Sequence, residues 1–219
     1  MYTNVNLAAP IGALALLGTA FLLCLGAIVL AQSLIVRKRR RAKIVFVAEL
    51  AIVIGYLAAM LAFSFASRGQ VLAQGEEKHF CEIDCHLAYS IVGTRGSKTL
   101  GDPPNQLTTR GTFLVVTTKT RFDETTIASF RGNGLLYPNP RAFVLTDDRG
   151  NRYEPVTQFG MPITSPLRPG ESYTTDVAFD LPADARAATL LINEASWETR
   201  LVIGHENSLL HKQTKFQLK

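Results

Sequence analysis

The chain lacks the local signatures of the common enzyme classes. It has no Gly-x-Ser-x-Gly elbow, phosphate-binding glycine loop, dinucleotide fingerprint or His-Glu-x-x-His run, so hydrolase or peptidase chemistry is not expected and the chain reads as a non-enzyme. Cysteine is scarce, with three residues, which rules out a disulfide-dense scaffold. No Lys or Arg precedes Arg37, so the N-terminus has no charged n-region and a cleaved signal peptide is disfavoured. After Ala66 no segment keeps a helical period for long, and there is no strong internal repeat or low-complexity tract.

What the first third does contain is hydrocarbon. Ile11 to Val36 is almost wholly apolar, and Ile44 to Ala66 is apolar apart from Glu49 and two small polar interruptions. Each is long enough to cross about 30 Å of hydrocarbon as a helix. Between them lie Arg37, Lys38, Arg39, Arg40, Arg41 and Lys43. A short loop so rich in Lys and Arg stays in the cytoplasm, so both termini and everything after Arg68 are expected to be extracytoplasmic.

The formal charge of +5 comes from this loop; with its six positive residues and Glu49 set aside, no net charge remains. The chain therefore offers no basic surface for nucleic acid, and its expected partners are the lipid bilayer and another envelope or membrane protein. Glu49 is an intramembrane acid, a functional candidate by default because burying its charge is costly. It lies six residues past Lys43, about 9 Å of helix, so it is expected to reach the headgroups or pair with the basic loop. Cys24, inside the first span, is expected to be a small apolar packing residue.

Beyond Ala66 the period changes. Residues 68–78 are polar and suit a juxtamembrane linker between a hairpin of residues 1–67 and a domain of residues 79–219. Leu87, Tyr89 and Ile91 alternate with Ala88, Ser90 and Val92, and Phe113, Val115 and Thr117 keep a similar rhythm. Residues 142–146 precede a turn at Asp147-Asp148-Arg149-Gly150-Asn151, and strands are expected again at residues 173–179, 188–193 and 197–203. This pattern predicts an all-β sandwich or small barrel behind two transmembrane helices. Phe143, Phe179 and Leu181 are core candidates, as are Tyr153 and Trp197 if their polar ends are bonded. Asp147 and Asp148 lack the alternate spacing of a calcium loop, and Glu206 and Asn207, between His205 and His211, read as a solvated strand end.

The order Phe143-Val-Leu-Thr-Asp147, Gly150-Asn-Arg-Tyr153, Leu167-Arg-Pro-Gly-Glu171 and Val177-Ala-Phe-Asp-Leu-Pro182 resembles the immunoglobulin-like domain of unknown function found in many bacterial lipoproteins and membrane-anchored proteins. That family is sometimes mis-titled as a telomere-repeat-binding factor. The resemblance spans Leu87 to Ile203 and implies an exported immunoglobulin-like sandwich, usually without enzymatic activity. The membrane hairpin and the stretch Phe80-Cys-Glu-Ile-Asp-Cys-His86 stand outside the family pattern.

That stretch has three readings. A disulfide between Cys81 and Cys85 suits an oxidising compartment, would contribute on the order of 2 kcal/mol, and needs the chain to turn between them. Two thiols with histidine nearby also resemble the copper-binding pairs of cytochrome oxidase subunit II and its assembly chaperones, with His79, Cys81, Cys85, His86 and Met161 as candidate ligands of copper or members of a redox site. The residue four places after the second Cys is Tyr89, where the subunit pattern has His. Covalent haem through Cys81-x-x-x-Cys85-His86 is the third, and it requires a helix after His86. No cofactor is firmly implied; the chain reads as an anchored binding or accessory module, with copper or thiol-redox work as the alternative.

Overall fold

An apolar run with no polar stripe has no face to turn toward water, and both such runs are helices exposed on nearly all sides. The computed structural model describes residues 8–80, 86–127 and 131–218. Helices α1 (Ala8–Ile35) and α2 (Arg39–Ala66) are each 28 residues long, and both are long and apolar enough to cross a membrane. Leu14, Phe21 and Ile28 on α1 and Ile44, Ile54 and Phe65 on α2 are exposed, an apolar surface fitted to lipid and costly in water. The helices are joined at Arg37, which takes the left-handed φ of 56° that ends many helices.

Two expectations for the spans change. Glu49 turns to the helix interface, not to the loop: a Cβ on Gly26 would stand 2.5 Å from its Oε1. Glycine at 26 leaves the notch that the carboxylate occupies. Cys24 is exposed, so within this chain it is not the packing residue expected.

Among the described residues the strands make two five-stranded sheets. One has the order β1 (Val71–Leu72), β10 (Lys215–Gln217), β9 (Ala187–Glu194), β5 (Arg141–Asp147), β6 (Arg152–Tyr153). The other has β2 (Lys78–Phe80), β3 (Leu87–Leu100), β4 (Leu107–Phe122), β8 (Ser172–Leu181), β7 (Thr157–Gly160). All pairings are antiparallel except β1 with β10. Strict alternation along β5 buries Arg141, Phe143, Leu145 and Asp147. With Tyr89 and Ile91 of β3, Phe179 and Leu181 of β8, and Leu190 and Ile192 of β9, the apolar residues among them fill one core. The sandwich expectation holds, as do Phe143, Phe179 and Leu181 as core.

Turn chemistry follows the sequence. Gly150 and Gly170 take φ of 87° and 81°, where a side chain would be strained. Asp147 caps its hairpin, accepting from the amides of Arg149 and Asn151 at 2.9 and 2.7 Å and from the Tyr153 hydroxyl at 2.9 Å. Its carboxylate serves the turn, and Tyr153 is half-buried with its hydroxyl bonded there.

Three expectations are corrected. The stretch expected as a linker contributes β1, with Leu72 buried and the Gln70 carbonyl accepting from the Lys215 amide at 2.9 Å. Trp197–Leu201 is a 3₁₀ helix, not a strand, and Trp197 is 64% exposed instead of in the core. Glu206 is buried at 3% exposure, so it is no solvated end. These last two share a cause: residues 8–68 and Trp197–Lys212 form one compact unit, and Gly69–Ser196 with residues 213–218 form the other. The chain leaves the sandwich after β9, joins the helical unit, and returns for β10.

Candidate functional site

Cys81 and Cys85 lie outside the described residues, and with them the bonds that would distinguish disulfide, copper and haem. The frame on either side is described. In β2 all three residues are buried, with Lys78 opposite Tyr89, His79 opposite Ala88 and Phe80 opposite Leu87. The chain thus reverses direction between Phe80 and Leu87. The haem reading needs a helix after His86, but β3 begins at Leu87, and the His86 ring is stacked on Phe122 with centroids 5.5 Å apart.

One set of charges holds this frame through the end of β4. Arg121 forks onto Glu77, Nε to Oε1 and Nη2 to Oε2 each at 2.7 Å, the strong bidentate geometry. Its Nη1 lies 3.4 Å from Asp123 Oδ1. Asp123 joins both sides: its amide donates to the His86 carbonyl at 2.7 Å, and its Oδ2 lies 3.3 Å from His79 Nε2. Its Oδ1 also accepts from the Thr125 amide and hydroxyl at 3.0 and 2.7 Å, capping the 3₁₀ turn Glu124–Thr126.

A second set lies in the core behind β2. Lys78 is fully buried, its Nζ donating to the carbonyls of Ile192 and Thr214 at 2.7 and 3.1 Å. The Arg141 guanidinium stands 4.2 Å from the Phe80 ring centroid, donates from Nε to the Tyr89 hydroxyl at 3.2 Å and pairs with Glu194 at 3.6 Å. Such contacts let a cation sit among aromatics.

Burial pushes the Asp123 carboxyl up, but the Thr125 hydroxyl and amide and the Arg121 guanidinium outweigh it and bring it from 3.8 down to about 2. The fork from Arg121 likewise holds Glu77 below the usual glutamate range, against burial. A depressed folded-state carboxyl stabilises above its unfolded value and loses that contribution as pH falls through the folded one. The sandwich is therefore expected to lose on the order of 1–2 kcal/mol from Asp123 between about pH 4 and pH 2, with solvent screening allowed for. Urea unfolding across that range tests it: Asp123→Asn should flatten the acid slope, and an unchanged slope would contradict the assignment.

The structure brings His79 and His86 to a common anchor but not Met161. Met161 follows β7, and β7 and β2 are opposite edges of the sheet, roughly 19 Å apart at four strand spacings. Among the described residues no cluster of three or more His, Cys, Asp or Glu side chains could hold a metal ion. A carboxylate on His79 Nε2 orients the ring and marks that nitrogen as donor; what the arrangement does directly is pin both ends of the Cys81–Cys85 connection. Sequence reading missed Glu77, Lys78, Arg121, Asp123, Arg141 and Glu194. The available signal was charge at alternating positions inside apolar strands, as in Arg141-x-Phe143-x-Leu145.

No protein-family model matches the chain, and no curated protein does. Among solved structures, the chain is similar to the secreted protein MPT63 of Mycobacterium tuberculosis, at 13% identity and a TM-score of 0.43 over 69% of this chain and 97% of that one. It is also similar to an uncharacterized β-sandwich protein of Clostridium difficile 630, at 10% identity and a TM-score of 0.41 over 70% of this chain and 96% of that one.

Proposed function

We propose that the chain is a bilayer-anchored, extracytoplasmic binding or accessory module of the cell envelope, of the immunoglobulin-like exported kind that its turn motifs resemble. The observation that carries the reading is the exposed apolar surface of α1 and α2 with six Lys and Arg residues, Arg37 to Lys43, at their junction and in the first turns of α2: lipid covers such a surface, and the charge at the junction orients it. The end of the sandwich at the β2–β3 connection is the face we assign to another envelope protein. The paired charges of Glu77, His79, Arg121 and Asp123 stand beside it, at the ends of β2 and β4. The copper or thiol-redox alternative draws no support from the described residues.

Site-specific photo-crosslinking in intact cells tests this. A crosslinking amino acid in place of the exposed Glu124, next to Asp123, is expected to give a discrete protein adduct in the membrane fraction. The same probe at Met161, on the opposite edge, is expected to give none. Adducts from Met161 alone would contradict the assignment.

A further inference from the structure

The connection between β9 and β10 has the reverse of a water-facing loop's polarity. Trp197, Leu201, Leu209 and Leu210 are exposed at 64%, 43%, 58% and 60%, while His205, Glu206 and Ser208 are buried. In water the preference runs the other way.

Its irregular backbone is tied internally. The amides of Val202, His205, Ser208 and His211 donate to the carbonyls of Thr199, Val202, His205 and Ser208 at 3.3, 3.2, 2.9 and 3.0 Å. The Ser208 hydroxyl donates to the Val202 carbonyl. Asn207 donates from its amide to His205 Nδ1 at 2.9 Å and from Nδ2 to the Thr199 hydroxyl at 2.8 Å. Non-helical chain is tolerated at membrane depth where protein satisfies its polar groups in this way.

The connection is also fastened to both helices within the same compact unit. The Tyr56 hydroxyl donates to the Leu201 carbonyl at 2.6 Å, and Ser67 Oγ accepts from the Lys212 amide at 2.8 Å. On α1, a Cβ at Gly12 would stand 2.1 Å from the Ile203 carbonyl oxygen, so glycine is what permits the approach. Tyr56 lies ten residues short of Ala66, about 15 Å of helix, against a hydrocarbon core of about 30 Å. The connection therefore runs alongside the half of α2 remote from the basic loop.

We propose that residues 197–212 are a third membrane element, an interfacial wedge in the leaflet at the ends of α1 and α2 remote from the basic loop. Trp197, Leu201, Leu209 and Leu210 contact lipid. Lys212, exposed and bonded through its amide to Ser67 at the end of α2, lies at headgroup level with its ammonium in water. Tryptophan suits that level, with an apolar ring and one donor. The inference rests on reading α1 and α2 as membrane-spanning, and it assigns the bilayer a contact that neither helix provides.

Trp197 is the single tryptophan of the chain, so its own fluorescence reports the result. The full chain in phosphatidylcholine vesicles is expected to show blue-shifted emission, loss of most of its intensity to lipids brominated near the headgroup end of the acyl chain, and shielding from aqueous acrylamide. A Trp197→Phe/Phe21→Trp variant moves the only tryptophan onto the exposed face of α1 and reports whether the helices are embedded. Phe21→Trp quenched by brominated lipid, with wild-type Trp197 unquenched and open to acrylamide, overturns the wedge and leaves the spanning helices intact. Both unquenched overturns the membrane reading and the wedge with it.

Discussion

Arg141→Ala is expected to destabilise the sandwich by about 3–5 kcal/mol, the cost of breaking a buried ion pair from one side. The Arg141 side chain is fully buried and Glu194 is 12% exposed, so removing the cation takes away an ion-pair partner from a largely buried carboxylate. The same change empties space beside Phe80 and removes the hydrogen bond from Arg141 to the Tyr89 hydroxyl. For a chain of this size that loss lowers Tm by roughly 10 °C. Arg141→Lys should not restore it, because an ammonium lacks the planar fork that bonds Tyr89 while lying over a ring. Removing both charges in Arg141→Met/Glu194→Leu should cost much less than Arg141→Ala, since apolar replacements of similar volume spare the desolvation of two ions. Unfolding of the detergent-solubilised chain, followed by its β signal, measures all three. A loss below about 1 kcal/mol for Arg141→Ala would show that the guanidinium is a passenger in the core.

Strands that alternate over many residues were legible. Residues 142–146, 173–179 and 188–193 fall inside β5, β8 and β9, because one buried face imposes a period of two on each. Two-residue β1 and three-residue β10 show no period, and they exist because β10 adds onto β9 and β1 onto β10 at one edge of the sheet. Residues 197–203 misled for a physical reason. Trp197, Leu201 and Ile203 recur at odd positions as in a strand, but the connection belongs to the compact unit of α1 and α2 and pairs with no sheet.

The candidate site was half visible. Cys81, Cys85, His79 and His86 draw attention because they are close in sequence. Arg121 and Asp123, which hold Glu77, His79 and His86 in place, lie more than thirty residues further along, and only the β3–β4 register, with Ala88 opposite Arg121, brings them there. Glu49 shows the same limit. Its distance from the basic loop is readable, whereas the notch at Gly26 that receives it depends on how α1 packs.

Orientation of the hairpin has the other large expected effect, because it is all-or-none. Arg37, Lys38, Arg39, Arg40, Arg41 and Lys43 lie between two spans, and no acidic residue offsets them within the loop. Moving such a loop across a membrane opposes the bias that sets topology in short loops. Ser67 is a poor reporter of the far side, since its hydroxyl accepts from Lys212 and donates to Ser64; Arg68 is exposed and serves instead. The decisive measurement is labelling of Arg68→Cys and Arg40→Cys, each in a Cys24→Ala/Cys81→Ser/Cys85→Ser background, with a membrane-impermeant maleimide in intact cells and after lysis. Arg68→Cys should react in intact cells and Arg40→Cys only after lysis; the opposite pattern would place the sandwich in the cytoplasm and contradict the account.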